Sequence, residues 1–179
     1  MCIRDSKSSA SEFKKLRDKS VILIGFSGGF RRSELVAITR EDVEFVKEGV
    51  KIFVKKSKSD QSGEGMTKGI PYFSNPQYCP VISIKNWIEE NKIQSGKIFD
   101  MSDKNVALII KKYTALAGLD HRKYSGHSLR SGFATSTAEL GAEERSIMAM
   151  TGHKTTQMVR RYIREANIFK NNALNKIKM

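Results

Sequence analysis

Cysteine is almost absent from this chain: Cys2 and Cys79 are the only two in 179 residues. They lie far apart and form no metal-type or redox-type spacing, which suits a reducing cytosol. Long apolar runs are missing too, so no segment reads as a bilayer-spanning helix. The opening M-C-I-R-D-S-K-S-S-A lacks the apolar h-region of a secretory signal, which argues against export. There is no internal repeat, no low-complexity block and no acidic cluster of the kind that holds a catalytic metal. Negative charge is scarce: 19 Asp and Glu stand against 32 Lys and Arg, a formal net charge of +13. A surplus this large points to a polyanionic partner. An anionic membrane fits less well, because no basic amphipathic segment stands alone at a terminus. What the chain does have is core material: apolar residues make up 39%, enough at this length for one domain.

The order of elements is legible from periodicity and punctuation. Residues 1–10 read as a disordered or non-native start. A helix is expected over 11–27, closing on the apolar run Val21-Ile22-Leu23-Ile24, whose continuity suggests burial all round. Gly28-Gly29 stops it, and a short helix follows over Ser33 to Ile38 with Ser33 as its N-cap. Val43 and Phe45, then Val50, Ile52 and Val54, alternate with polar residues around Glu48-Gly49, a β-hairpin signal. A polar loop over 57–65 leads to a third strand from Met66, ending near Pro71. Beyond it the pattern is helical: Val81 to Asn91, Asp103 to Ala117 capped by Gly118, Ser128 to Leu140 bounded by Gly141, Glu143 to Met150 bounded by Gly152, and Thr156 to Glu165. Residues 167–179 read as a separate last helix or tail. The fold class expected is mainly α (α+β), with one small three-stranded antiparallel sheet and a single domain over 11–166.

Chemistry concentrates near the C-terminal end. His127 and Arg130 stand in H-S-L-R, His153 in T-G-H and Tyr162 in R-R-Y, all within 36 positions. On an ideal helix Leu129, Phe133, Thr137 and Leu140 form the apolar stripe, with Arg130 at its edge and His127 away from it. Neither is expected in the core. His153 would stand just before a helix N-terminus, where backbone N–H groups favour an anion. Tyr162 shares a stripe with Met158, Val159, Ile163 and Ala166, so packing and chemistry compete for it. A phenol with a pKa near ~10 attacks poorly unless cations favour the phenolate or a base takes its proton. Arg130 and an upstream arginine in G-G-F-R-R-S-E-L can supply the field, and His127 the base. Spacing alone does not separate Arg31 from Arg32. Glu34 lies one turn away and can orient Arg31. Lys58 stands with Lys55 and Lys56 in a basic run that reads as a solvated, phosphate-attracting loop, and from there a lysine can swing in and lend a proton where arginine cannot. Two guanidiniums, an ammonium, two imidazoles and a phenol are the parts needed to hold and attack a phosphodiester without metal.

Taken in order, these boxes resemble those of the tyrosine recombinases, the phage-integrase family. G-F-R-R-S-E-L resembles the first arginine box and assigns that role to Arg31. S-K-S-D-Q followed by G-I-P resembles the β-hairpin lysine segment and assigns Lys58. H-S-L-R, T-G-H and R-R-Y resemble the remaining three boxes, and the likeness covers about residues 13–170. The resemblance implies a catalytic domain of the DNA breaking-rejoining type, with Arg31, Lys58, His127, Arg130, His153 and Tyr162 catalytic and Glu34 behind them. It also implies a site-specific recombinase working through a 3′-phosphotyrosine link, with no metal, no ATP and no other cofactor. The implied partners are double-stranded DNA and three further copies in a homotetramer on synapsed DNA, with residues 167–179 docking on a neighbour. Arg32, Lys55, Lys56, Lys154, Arg160 and Arg161 are expected on DNA phosphates, and the implied setting is a bacterial or phage-encoded protein of the cytoplasm. Family members carry an N-terminal core-binding domain, whereas here the first catalytic-domain helix begins almost at once. This piece alone is therefore expected to bind DNA weakly. Three other readings compete: a type IB topoisomerase-like relaxing enzyme, a catalytically silent DNA-binding module, and a nuclease that uses water at the phosphotyrosine.

Overall fold

A computed structural model of the chain describes residues 3–55, 64–153 and 155–167. Helix α1 spans Ile3–Ser27, so it starts well before residue 11, and the backbone of residues 3–10 continues the helix where a disordered start was expected. Val21 and Ile24 are fully buried. Ile22 and Leu23 are only partly so, so the run is not buried all round. The chain then turns at Gly28-Gly29, where Gly29 adopts φ +55°. A Cβ on Gly28 would lie 2.1 Å from the Phe30 ring, so the turn tolerates no side chain there.

Helix α2 is Arg32–Ala37. Its N-cap is Arg31, not the expected Ser33. The reason is local: Glu34, at the third helical position, folds back so that Oε2 accepts the Arg31 backbone N–H at 3.0 Å. That satisfies an otherwise orphaned donor of the first turn.

The sheet is antiparallel with strand order β1-β2-β3. Strands β1 (Val43–Val46) and β2 (Gly49–Val54) pair with Val43 opposite Ile52 and Val46 opposite Gly49, which places the tight turn at Lys47-Glu48. Strand β3 (Met66–Pro71) pairs with β2, Ile52 facing Lys68 and Val50 facing Ile70. The loop before it falls largely at residues 56–63, outside the described residues.

Four helices follow: α3 (Pro80–Glu90), α4 (Asp103–Leu116), α5 (Ser128–Glu139) and α6 (Glu144–Thr151). Glycines with positive φ close three of them, Gly118 at +74°, Gly141 at +84° and Gly152 at +63°, the left-handed geometry that ends helices. Helix α7 (Thr156–Asn167) completes the described chain. One core gathers α1–α4 and the sheet around Ile24, Leu35, Ile52, Ile84, Phe99 and Val106. A second, smaller one joins α5, α6 and α7 through Ala134, Ala138, Ile147 and Val159. Helix α5 links the two, packing on α1 and on α7.

The buried face of α5 differs from the expected stripe. Leu140 is 87% exposed, whereas Ala134 and Ala138 are buried and Arg130 is 1% exposed. Small residues face α7 here, and the α1 side is approached so closely that a Cβ on Gly25 would lie 2.6 Å from Leu129 Cδ1. The helix is clamped between two neighbours, so its inner face is set by both rather than by one apolar ridge.

Candidate active site

The site lies where the Gly28-Gly29 turn, the start of α2, the α5 N-terminus, the α6–α7 junction and α7 meet. Two successive carbonyls of the glycine turn hold two cations. Gly28 O accepts from Lys68 Nζ at 2.7 Å, and Gly29 O accepts from Arg130 Nη1 at 3.0 Å. Arg130 is thus a buried cation, against the expectation that it stands outside the core. Its Nη2 is also buried and makes no hydrogen bond among the described residues. Burial first, then the neighbouring Arg31 charge, push Arg130 down to about 10, so it stays charged at neutral pH.

Arg31 is half-buried and Glu34 is buried. Arg31 Nη1 donates to Glu34 Oε1 at 2.5 Å, and Lys68 Nζ lies 4.0 Å from Glu34 Oε2. Burial pushes the Glu34 carboxyl up, but hydrogen bonds from Arg31 and the charges of Lys68 and Arg31 outweigh it and hold it below the ordinary value. Glu34 is therefore an anion at the base of the site that fixes the Arg31 fork.

His127 is the N-cap of α5, and its Nε2 lies 3.3 Å from Tyr162 Oη, which reaches it from α7. Burial, Arg130 and Arg31 lower the His127 pKa, so the ring is neutral at neutral pH and can accept a proton. Tyr162 packs with one part of its side chain and leaves the other free for a polar contact. Its ring packs on the α5–α7 core and stacks against His153 at 6.2 Å between centroids, while its hydroxyl points at His127.

His153 follows Gly152 and is fixed by Thr151. Thr151 Oγ1 donates to Ile147 O at 2.6 Å, so in its 2.8 Å contact with His153 Nδ1 it must accept. That assigns the proton to Nδ1. Burial, then Arg130, Arg31, His127 and Lys68, bring His153 down to about 4. The sign for folding follows: the unfolded ring takes a proton near pH 6.5 and the folded ring only near 4. Between those values the unfolded state binds more protons, so stability falls as pH falls. After allowing for the ring's partial exposure, the loss is on the order of 1–2 kcal/mol. The urea midpoint should drop from pH 7 to pH 4.5 and drop less in His153→Gln; equal slopes in both proteins would remove His153 as the cause.

Five expected residues, Arg31, His127, Arg130, His153 and Tyr162, thus share one region, each within electrostatic or hydrogen-bonding reach of another. Lys58, Lys56 and Lys154 lie outside the described residues. Three phosphate-contact candidates are exposed and paired with carboxylates of neighbouring elements. Arg32 pairs with Asp103 at 2.9 Å, Lys55 with Asp42 at 2.9 Å and Arg160 with Glu144 at 3.2 Å. The Arg32 and Arg160 pairs are weak surface pairs that leave those cations open to exchange for a phosphate, whereas the Asp42 carboxylate of the third is buried. Arg161 is exposed on α7. Sequence reasoning missed Lys68 and Thr151. The M-T-K-G-I-P alternation, which puts Lys68 on the same face as Ile70, was the signal for the first.

That convergence on one face of a mainly helical domain defines the class: a tyrosine-recombinase catalytic domain. The chain belongs to the phage integrase family, whose sequence profile, described as "Phage integrase family", matches residues 6–167. An integrase/recombinase xerD homolog of Selenomonas ruminantium is 48% identical over 174 residues, covering 90% of this chain and 51% of the relative. Tyrosine recombinase XerC of Syntrophus aciditrophicus (strain SB) is 28% identical over 170 residues, covering 82% of this chain and 48% of the relative. Among solved structures, XerA recombinase superposes with a TM-score of 0.69 at 18% identity, over 96% of this chain and 63% of the other. XerH site-specific recombinase bound to difH substrate, in a pre-cleavage complex, gives 0.69 at 17% identity, over 89% and 48%. At these identities the superpositions speak for the fold. The chain spans about half the length of the curated relatives it matches. No helix of the described residues is long and apolar enough to cross a membrane.

Proposed function

We propose that this domain cuts and rejoins DNA strands as the catalytic part of a site-specific recombinase. The observation that carries this reading is the Tyr162 hydroxyl at 3.3 Å from a neutral His127, beside a buried arginine whose Nη2 has no hydrogen-bond partner among the described residues. Tyr162 Oη attacks the scissile phosphorus and its proton passes to His127. Arg31 and Arg130 hold the non-bridging oxygens as negative charge builds on them, the donor arrangement that stabilises a developing oxyanion. The P–O5′ bond breaks, and the departing 5′ oxygen takes a proton from Lys58, the residue that the family resemblance assigns to that step. A 5′-hydroxyl from another strand then reverses these steps. One phosphoester bond is exchanged for another throughout, so ATP is not required. The net charge of +13 suits double-stranded DNA, with Arg32, Lys55, Lys56, Lys154, Arg160 and Arg161 on its phosphates. The DNA-bound state of this reading is a homotetramer on two synapsed duplexes, with residues 167–179 docked on a neighbour.

The test is covalent capture. The chain is incubated at low salt with a pool of nicked duplexes of randomised sequence and run on a denaturing gel. A protein–DNA band that disappears in Tyr162→Phe is expected. Retained DNA binding with no band from any duplex would reduce the domain to a binding module.

A further inference from the structure

Lys68 is a cation in a place where strands put apolar side chains. It lies in the middle of β3 opposite Ile52, shares the inward face with Ile70, and is 1% exposed. An isolated buried ammonium is costly, so its surroundings must compensate. One N–H goes to Gly28 O at 2.7 Å. The charge sits 4.4 Å from the centroid of the Phe30 ring, a cation–π contact. The Glu34 carboxylate stands 4.0 Å away and binds both the backbone N–H and the guanidinium of Arg31. Residues 28, 30, 31 and 34 are thus gathered from behind by one side chain that arrives from another element.

We propose that Lys68 is a positioning residue for the cleavage reaction: it holds the Glu34 carboxylate, and through it the Arg31 guanidinium, at the height where a phosphate oxygen is bound. This rests on the proposed recombinase function but assigns a residue that the family's boxes do not. Lys68 does not act as the proton donor in this reading, because its Nζ is already committed to Gly28 O, the Phe30 ring and Glu34. The charged and titratable groups that face it come from three places: Glu34 and Arg31 at α2, Arg130 on α5 and, further off, the neutral His153 ring at the α6–α7 junction. Removing the ammonium takes away one of the two cations, Lys68 and Arg31, whose charges hold the Glu34 carboxyl ionised. The carboxyl is then more readily protonated, and Arg31 loses its anchor in that fraction of molecules.

Lys68→Met removes the charge at similar length. On a nicked duplex cleaved by the wild-type chain, we expect adduct formation to slow by roughly 10- to 100-fold at pH 6, with the defect shrinking as pH rises and Glu34 ionises. DNA affinity should stay within about twofold. A duplex with sulfur in place of the bridging 5′ oxygen, whose leaving group needs no proton, should not restore the rate. Restoration by sulfur would make Lys68 a proton donor, and affinity falling in step with rate would make it a DNA contact; either result overturns the proposal, as does an unchanged rate. Glu34 is titrated in parallel by carboxyl-carbon NMR, without DNA. Its midpoint should move up in Lys68→Met, and no movement overturns the clamp even if the wild-type chain cuts nothing. Should Lys68→Met fail to fold, Lys68→Met/Glu34→Gln removes both charges. It is expected to fold and still to cut slowly, and a wild-type rate in it would end the proposal.

Discussion

Arg130→Lys should leave DNA affinity within about threefold of wild type while slowing adduct formation by on the order of 10²-fold or more. The substitution keeps the charge, so any loss must come from geometry. Arg130 uses Nη1 on Gly29 O and holds Nη2 buried without a hydrogen-bond partner among the described residues. A guanidinium can bond the glycine turn with one nitrogen and a phosphate oxygen with the other, in a fixed plane. A lysine has one nitrogen at the end of a flexible stem. If it bonds Gly29 O it cannot also sit squarely on the phosphate, and if it reaches the phosphate it leaves a buried carbonyl unpaired. Ground-state DNA binding draws on many phosphate contacts and barely registers the change. The transition state, where charge grows on two oxygens, loses a preorganised donor. Gel-shift titrations and a time course on denaturing gels separate the two quantities. A parallel fall in both would mean that Arg130 serves binding rather than the chemical step, and a rate close to wild type would mean that the unpaired Nη2 has no part in it.

How far the sequence foretold this site depends on what kind of contact each residue makes. The hairpin was legible because alternation over Val50, Ile52 and Val54 is a one-dimensional trace of a two-faced strand. Helix ends were legible at Gly118, Gly141 and Gly152, where positive φ demands a residue type. The boxes around Arg31, His127, Arg130, His153 and Tyr162 were legible by resemblance, and the structure brings those five side chains into one region. Burial within α5 was not legible. Leu140 looked like an anchor and is exposed, while Arg130 looked peripheral and is interior. Which face of that helix turns inward is decided by the close approach of α1 at Gly25 and by α7, neither of which leaves a mark in the α5 periodicity. Lys68 was hidden for a related reason. A lysine in a strand normally faces water, and only the partners that converge on it, Gly28 O, Phe30 and Glu34, make an inward position tolerable. The Arg31 cap was hidden because Glu34, three residues on, competes for the N–H better than the Ser33 hydroxyl serves as a cap.

The same buried charges make Glu34→Ala the substitution expected to cost the fold most among those at the site, about 3–4 kcal/mol at pH 7. For a chain of this size that is roughly 10 °C in Tm. Glu34 is 5% exposed and Lys68 1%. Removing the carboxylate leaves a buried ammonium with a single carbonyl and a ring face, and also frees the Arg31 N–H that begins α2. Glu34→Gln, which can still accept that N–H, should cost less. The pH dependence identifies the cause. Burial, and after it the charges of Arg130 and Arg31 against that of Glu34, leave Lys68 at about 8 in the folded protein, below an ordinary lysine. Without Glu34 the value falls further. A group whose folded pKa is depressed adds stability as pH rises, because the unfolded chain then holds a proton that the folded one has shed. In the variant this gain begins at lower pH than in the wild type, so the stability gap should narrow between pH 7 and 9. On the acid side the gap should narrow again, as protonation of Glu34 in the wild type, below its ordinary range, removes what the variant already lacks. Urea unfolding at pH 3.5, 7 and 9 reads all three points. A gap that stays constant across them would show that Glu34 acts through packing alone and that its charge does not hold Lys68 and Arg31 in place.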